Sequence, residues 1–224
     1  MNILVLTAMQ KELQLLKNLL ENEKEINVGK DIKIYNGNIG KNNIFLTTCG
    51  IGKVNSAINS YRIIMDLNPD FIINSGVAGG VDLPIGSVLA ADAIAYHDVW
   101  CGPGTEYGQA DGYPLFFKPS DEIISKIKSH IKNINYGLIC SGDKFISEES
   151  QIKDIKKHFP GTKAVDMESA SIAQVCNMLK KPLLVIRIVS DTPGNENNIS
   201  QYKDFWSEAP VKSFNVIKNL ISIL

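Results

Sequence analysis

Three acidic residues stand where an apolar pattern leaves little room for charge. The stretch from Met9 reads as a helix with Leu13, Leu16 and Leu20 on one face, and Glu12, four residues before Leu16 and seven before Leu19, falls on that core side. Glu168 keeps the same register with Ile172, Val175 and Leu179, at steps of four, seven and eleven. Asp191 ends an apolar run from Pro182 to Ser190 whose interior is broken only by Arg187. Carboxyl groups withdrawn from water change their proton affinity, and acid–base chemistry uses groups of this kind. A first-turn glutamate also gains about 0.3 to 1 kcal/mol from the helix dipole, so a local role is the alternative for Glu12 and Glu168. Arg187 needs a partner, because an unpaired cation in an apolar strand is costly. Glu168 and Asp166 are the acids available to it, and a purely structural ion pair is the alternative there.

The elements that must position these residues follow from periodicity. Strands are expected at residues 2–8, 33–39, 43–48, 71–74, 87–97, 136–141 and 182–191, and helices at 9–21, 53–67, 121–131, 148–158, 168–179 and 204–223. The alternation predicts an α/β fold: one domain over residues 1–224 with a mixed, mostly parallel central sheet flanked by helices, the runs around 33–48 forming an antiparallel hairpin. Ligands of such sheets bind beyond the carboxyl ends of the strands, where Glu12 follows the first strand and Asp191 closes the last. A third strand runs into Ser75-Gly76-Val77-Ala78-Gly79-Gly80, whose glycines let a ligand approach the backbone. Between Asp98 and Phe117 neither period is present, yet the segment carries Trp100, Tyr107, Tyr113, Phe116 and Phe117. An interface or a lid is expected there.

With 224 residues, 44% of them hydrophobic and 21% charged, the chain can bury a full core. Its net charge of −1 is spread through mixed Lys, Glu and Asp, which argues against nucleic acid or an acidic membrane as partner and for a small-molecule substrate. The apolar run from Met1 to Ala8 passes at once into an amphipathic stretch, so no secretory signal is expected, and no run approaches the roughly 18 apolar residues of a membrane span. Cys49, Cys101, Cys140 and Cys176, like His97, His130 and His158, are scattered, so reduced thiols in a cytoplasm and no zinc or other metal site are expected.

Seven segments in order along the chain carry a resemblance: Ala8-Met9-Gln10-Lys11-Glu12, Gly50-Ile51-Gly52-Lys53-Val54-Asn55, Ile73-Asn74-Ser75-Gly76-Val77-Ala78-Gly79-Gly80, Tyr96-His97-Asp98, Ser141-Gly142-Asp143-Lys144-Phe145-Ile146, Val165-Asp166-Met167-Glu168 and Arg187-Ile188-Val189-Ser190-Asp191. In them the chain resembles the 5′-methylthioadenosine/S-adenosylhomocysteine nucleosidases of the nucleoside phosphorylase superfamily. The resemblance implies a homodimer that needs neither metal nor cofactor. It implies that Glu12 activates water, that Asp191 serves adenine N7 with Ser190 beside it, and that Glu168 binds the ribose hydroxyls. It further implies that Met167 packs on the sugar, Phe145 stacks on adenine and the Ile146 backbone reads the base edge. Met9, Ser75, Ala78 and Gly79 complete the implied substrate site, with Asp166 and Arg187 in support. Where the family commonly has Glu-Met-Glu, this chain has Asp166-Met167-Glu168, one methylene shorter at the first acid.

Breaking a ribosyl N-glycosidic bond builds positive charge on the sugar and negative charge on the purine, so the enzyme should protonate the purine and stabilise the cation. An acid with an ordinary value near ~3.9 must rise by roughly three units, about 4 kcal/mol, to hold that proton at neutrality. The competing chemistry is phosphorolysis, which grips a phosphate dianion with forked arginines. The sequence offers only Arg62 and Arg187. A catalytically inactive nucleoside-binding protein of the same fold is the remaining alternative.

Overall fold

The computed structural model describes residues 1–207 and 211–224. Among them the order is β1 (Asn2–Thr7), α1 (Gln10–Lys17), β2 (Glu21–Val28), β3 (Ile32–Ile39), β4 (Asn42–Thr48), α2 (Lys53–Leu67), β5 (Phe71–Gly80), β6 (Val88–Tyr96), α3 (Asp121–His130), β7 (Asn135–Ser141), α4 (Glu149–His158), β8 (Thr162–Asp166), α5 (Ser169–Met178), β9 (Leu183–Asp191), α6 (Asn198–Ser207) and α7 (Val211–Ile223). The strands form one sheet in the order β2-β3-β4-β1-β5-β8-β7-β6-β9, with β9 also pairing back onto β5. That last pairing closes β5, β8, β7, β6 and β9 into a ring, while β1 to β4 extend from it as an open sheet.

The ladders β1–β4, β1–β5, β5–β9, β6–β7 and β7–β8 are parallel. The ladders β2–β3, β3–β4, β5–β8 and β6–β9 are antiparallel, the second being the expected hairpin. Strand β1 is buried on both faces, as a central strand covered by helices must be. Ile3 and Val5 point into a core shared with Leu13 and Leu16 of α1 and Phe214 and Ile217 of α7. Leu4 and Leu6 face the opposite core with Ile63 and Ile64 of α2 and Ile172 and Val175 of α5.

The expectations need correction in four places. Strand β2 is absent from the expected strands, and its first residue Glu21 closes the expected helix 9–21; its exposed Glu21, Asn22, Glu23, Lys24 and Glu25 are the polar surface of an edge strand. Strand β8 is only five residues long and carried no periodic signal. Strand β5 continues through the glycines to Gly80, because its partner strands continue past Asn74. The helix expected over 204–223 begins earlier, with α6 at Asn198, and α7 covers its later part; residues 208–210 of that expectation lie outside the described residues. No helix among the described residues is long and apolar enough to cross a membrane.

Strand β5 is the element that opens a site. Along one edge it pairs β1 as far as Leu6↔Asn74 and then β8 from Gly79↔Val165. Between Asn74 and Gly79 that edge is vacant, a switch point of the sort where α/β sheets bind ligands. On the other edge the ladder to β9 skips a residue, since Ala78 pairs Val189 and Gly79 pairs Asp191. Such a bulge re-aims the side chains around it, here Ser190 and Asp191.

Candidate active site

Glu12 occupies the vacant edge. It is the third residue of α1 and is 1% exposed, and its Oε2 accepts the N–H groups of Ala8 at 2.9 Å and Met9 at 2.8 Å. These are free donors at a helix start, so the local role anticipated for a first-turn acid is present. A third bond crosses the sheet: Val77 N–H donates to Oε1 at 3.0 Å from the unpaired stretch of β5. Gly76 leaves space for the carboxylate, because a Cβ there would lie 2.8 Å from Oε1. Burial pushes the Glu12 carboxyl above the usual carboxylate range, and the bonds from Val77, Met9 and Ala8, with the Arg187 charge, pull part of the way back.

Glu168 is the N-cap of α5 and aims its Oε1 at the start of α2, where Gly52 N–H donates at 2.9 Å. Burial and the neighbouring Asp166 charge raise it to about 7. Asp191, at the end of β9, accepts from Ser190 Oγ on Oδ1 at 2.6 Å and from Asn198 Nδ2 on Oδ2. Burial raises Asp191 too, against the pull of those two donors.

The three carboxyls line one concave, largely apolar cleft that is open to solvent at its mouth, the form small-molecule sites take. Met9, Ala78, Gly79, Ile146, Met167 and Ser190 line it as well, together with Asp166, Lys144 and Val77. Phe145 stands at its edge, 44% exposed and 5.6 Å edge-on from Tyr202. Two of the expected residues lie elsewhere. Ser75 is buried behind the wall, its Oγ without a hydrogen-bond partner among the described residues; the alternation of β5 turns it away from the face on which Asn74 and Gly76 meet Arg187 and Glu12. Arg187 sits beneath the site, donating Nε to Asp166 Oδ2 at 2.8 Å, so of the two candidate partners Asp166 is the one it holds. The shorter acid is fully engaged, since Ser141 Oγ and Ser169 Oγ also donate to it.

Three contributions escaped the sequence reading. Tyr202 of α6 lines the cleft with its hydroxyl 3.5 Å from Met9 Sδ. Asn198 holds Asp191. The third is a network: Asp98 Oδ2 accepts from Lys53 Nζ at 2.8 Å and from Asp143 N–H at 2.8 Å, while Asp143 Oδ1 accepts Lys53 N–H at 2.7 Å. It fastens the loop bearing Phe145 to the same helix start that donates to Glu168. In the segment 98–117, expected as an interface or lid, Tyr107 stacks on His158 at 3.9 Å and Phe116 meets Phe159 edge-on at 6.2 Å, yet both rings stay 37% exposed, and of the segment's aromatics only Phe117 is buried. Trp100 remains 61% exposed.

The phosphorylase superfamily model matches residues 2–222. A Staphylococcus aureus 5′-methylthioadenosine/S-adenosylhomocysteine nucleosidase is 39% identical across 98% of this chain and 99% of its own length. The chain belongs to this nucleosidase family. Its fold agrees with that membership: the Neisseria meningitidis nucleosidase in complex with methylthio-immucillin-A superposes with a TM-score of 0.93 at 33% identity, covering 100% of this chain and 99% of that one. The Streptococcus pneumoniae MTA/SAH nucleosidase in complex with 8-aminoadenine gives 0.93 at 36% identity, with 100% of both chains covered. Within the nucleosidase family, then, the carboxyl-lined cleft of this chain is the candidate active site.

Proposed function

We propose that the protein hydrolyses the N-glycosidic bond of 5′-methylthioadenosine and S-adenosylhomocysteine, releasing adenine and the 5-thio-substituted ribose. The observation that carries this reading is a cleft lined by the buried carboxyls of Glu12, Glu168 and Asp191, each in a different set of donors, beside a fourth, Asp166, and with neither arginine on its wall. Arg187 is committed to Asp166, and Arg62 makes a surface fork with Asp31 at 3.0 and 2.6 Å. A phosphate dianion therefore finds no guanidinium fork, and Glu12 repels it.

In this reading Glu12, whose ionised form three backbone N–H groups and the Arg187 charge favour against the opposing effect of burial, takes a proton from water as it adds to the sugar. Asp191 gives its proton to N7 of the departing adenine, so negative charge does not accumulate on the base. Glu168 accepts from the ribose hydroxyls and steadies the developing cation, with Met167 against the sugar. Phe145 and Ile146 receive the base, and Met9, Ala78, Gly79 and Ser190 complete the walls. Asp166 and Arg187 brace the floor. Incubation with a panel of 5′-substituted adenosines, with and without phosphate, tests the reading by product identity. Free adenine and a free sugar at a rate indifferent to phosphate are expected; ribose 1-phosphate would establish phosphorolysis, and substrate recovered intact would establish a binding protein.

The same reading includes a homodimer. Val54, Ile58, Tyr61 and Met65, at steps of four, three and four along α2, are 67, 54, 42 and 58% exposed. A stripe of that size on a helix beside the site is an association surface, and Ile51 continues it to the cleft.

A further inference from the structure

The acid at the end of β9 is gripped by a residue that no motif marks. Asn198, the first residue of α6 and 2% exposed, donates Nδ2 to Asp191 Oδ2 at 2.5 Å, while Ser190 Oγ donates to Oδ1 at 2.6 Å. Each carboxyl oxygen thus carries one donor. The other end of the amide is unused: Asn198 Oδ1 is buried with no hydrogen-bond partner among the described residues. Tying α6 to β9 does not depend on this side chain. The junction is already fastened, by Thr192 N–H on Gln201 Oε1 at 3.0 Å and by Asn198 N–H on Asn195 O at 3.0 Å.

We propose that Asn198 is a positioning residue for the reaction, its amide fixing the Asp191 carboxyl and setting how readily that carboxyl yields its proton to the departing base. The proposal rests on the reading of Asp191 as proton donor. Burial alone would make Asp191 hold its proton too tightly to give it up; an N–H donated to a carboxylate stabilises the state reached after transfer. The two direct partners of Asp191 are uncharged, so removing Asn198 alters this acid without altering the charge of the cleft. The titratable groups that share the cleft are Glu12 of α1, Asp166 of β8, Glu168 at the start of α5, Tyr202 of α6 and Lys144 of the loop after β7.

The test compares wild type, Asn198→Ala and Asn198→Asp on two substrates: 5′-methylthioadenosine, and a 5′-methylthio-riboside whose leaving group is p-nitrophenolate and needs no proton. On the adenine substrate the alkaline limb of the kcat profile should move up by about one pH unit in Asn198→Ala, with kcat near neutrality falling about tenfold. Asn198→Asp, isosteric and acceptor-rich, should move the limb further, because two carboxyls then share one site. Hydrolysis of the p-nitrophenyl substrate should change much less, which also reports an intact site. An alkaline limb that stays in place in both variants, or equal losses on the two substrates, overturns the proposal. Asp191→Asn, run alongside, separates the two readings: equal losses there would remove the donor role of Asp191 itself, whereas selective loss there with an unmoved limb in the Asn198 variants removes only Asn198.

Discussion

Replacing Arg187 with methionine asks how the floor of the site is held. Arg187 is 2% exposed and spends its guanidinium inside the protein: Nε on Asp166 Oδ2 at 2.8 Å, Nη2 on Asn74 Oδ1 at 2.6 Å and Ser169 Oγ at 2.8 Å, Nη1 on the carbonyls of Ile186 at 3.1 Å and Asn74 at 3.3 Å. Methionine fills similar space but leaves Asp166 a buried carboxylate with only hydroxyl and backbone donors. Removing one partner of a buried pair costs about 3 to 5 kcal/mol, and in a chain of this size each kcal/mol moves Tm by about 2 to 4 °C. Thermal unfolding should therefore begin about 6 to 20 °C lower. Adding Asp166→Asn removes the stranded charge, so the double variant should lose at least about 1 kcal/mol less than the two single losses combined. The loss also reaches the chemistry, since the Arg187 charge now offsets part of the rise that burial gives the carboxyls of Glu12 and Glu168. An Arg187→Met protein within about 1 kcal/mol of wild type, by thermal and urea unfolding alike, would refute the view that this pair braces the site.

Three further outcomes are expected. Gly76→Ala puts a Cβ 2.8 Å from Glu12 Oε1; displacement of the base by such a contact should cut kcat by about 10²-fold with little change in Tm, and activity within about threefold of wild type would contradict the packing. Glu168 is raised by burial from its ordinary value to about 7, so the folded state binds a proton that the unfolded chain has released. Its stabilising effect is whole below about pH 4 and is lost as pH rises towards about pH 7, up to about 3 kcal/mol. Burial lowers His97 and acts in the opposite sense, so the readout is wild type against Glu168→Gln: wild-type Tm should fall relative to the variant between about pH 5 and pH 8, and a parallel pair of curves would contradict the shift. Sedimentation at micromolar concentration should find a dimer that Ile58→Glu dissociates, and a wild-type monomer would remove the α2 stripe as an interface.

Much of the fold was legible because its central strands are apolar on both faces and its helices carry one apolar stripe, patterns that β1 and α1 display without ambiguity. Strand β2 was not, because an edge strand clothed in Glu and Lys has the composition of a solvated helix end. The site was legible where a charge interrupts an apolar register, as at Glu12, Glu168 and Asp191. It was illegible where the backbone does the work: Val77 contributes an N–H, which no side-chain type announces, and the neighbouring Ser75 drew attention by its hydroxyl although the pleat turns it away. Asn198 and Tyr202 come from a helix in a polar stretch without periodicity, and only the bulge at Ser190 and the turn after Asp191 bring them to the cleft.

The division of labour between Glu12 and Asp191 is tested most directly by two variants on two leaving groups. Asp191→Asn should lower turnover of 5′-methylthioadenosine by about 10² to 10⁴ and affect the p-nitrophenyl 5′-methylthio-riboside far less, because p-nitrophenolate departs without a proton. Glu12→Gln should bind both substrates and damage hydrolysis of both, since either reaction needs an activated water. Equal losses on the two substrates for Asp191→Asn, or Glu12→Gln activity within about threefold of wild type, would contradict the assignment of these carboxyls.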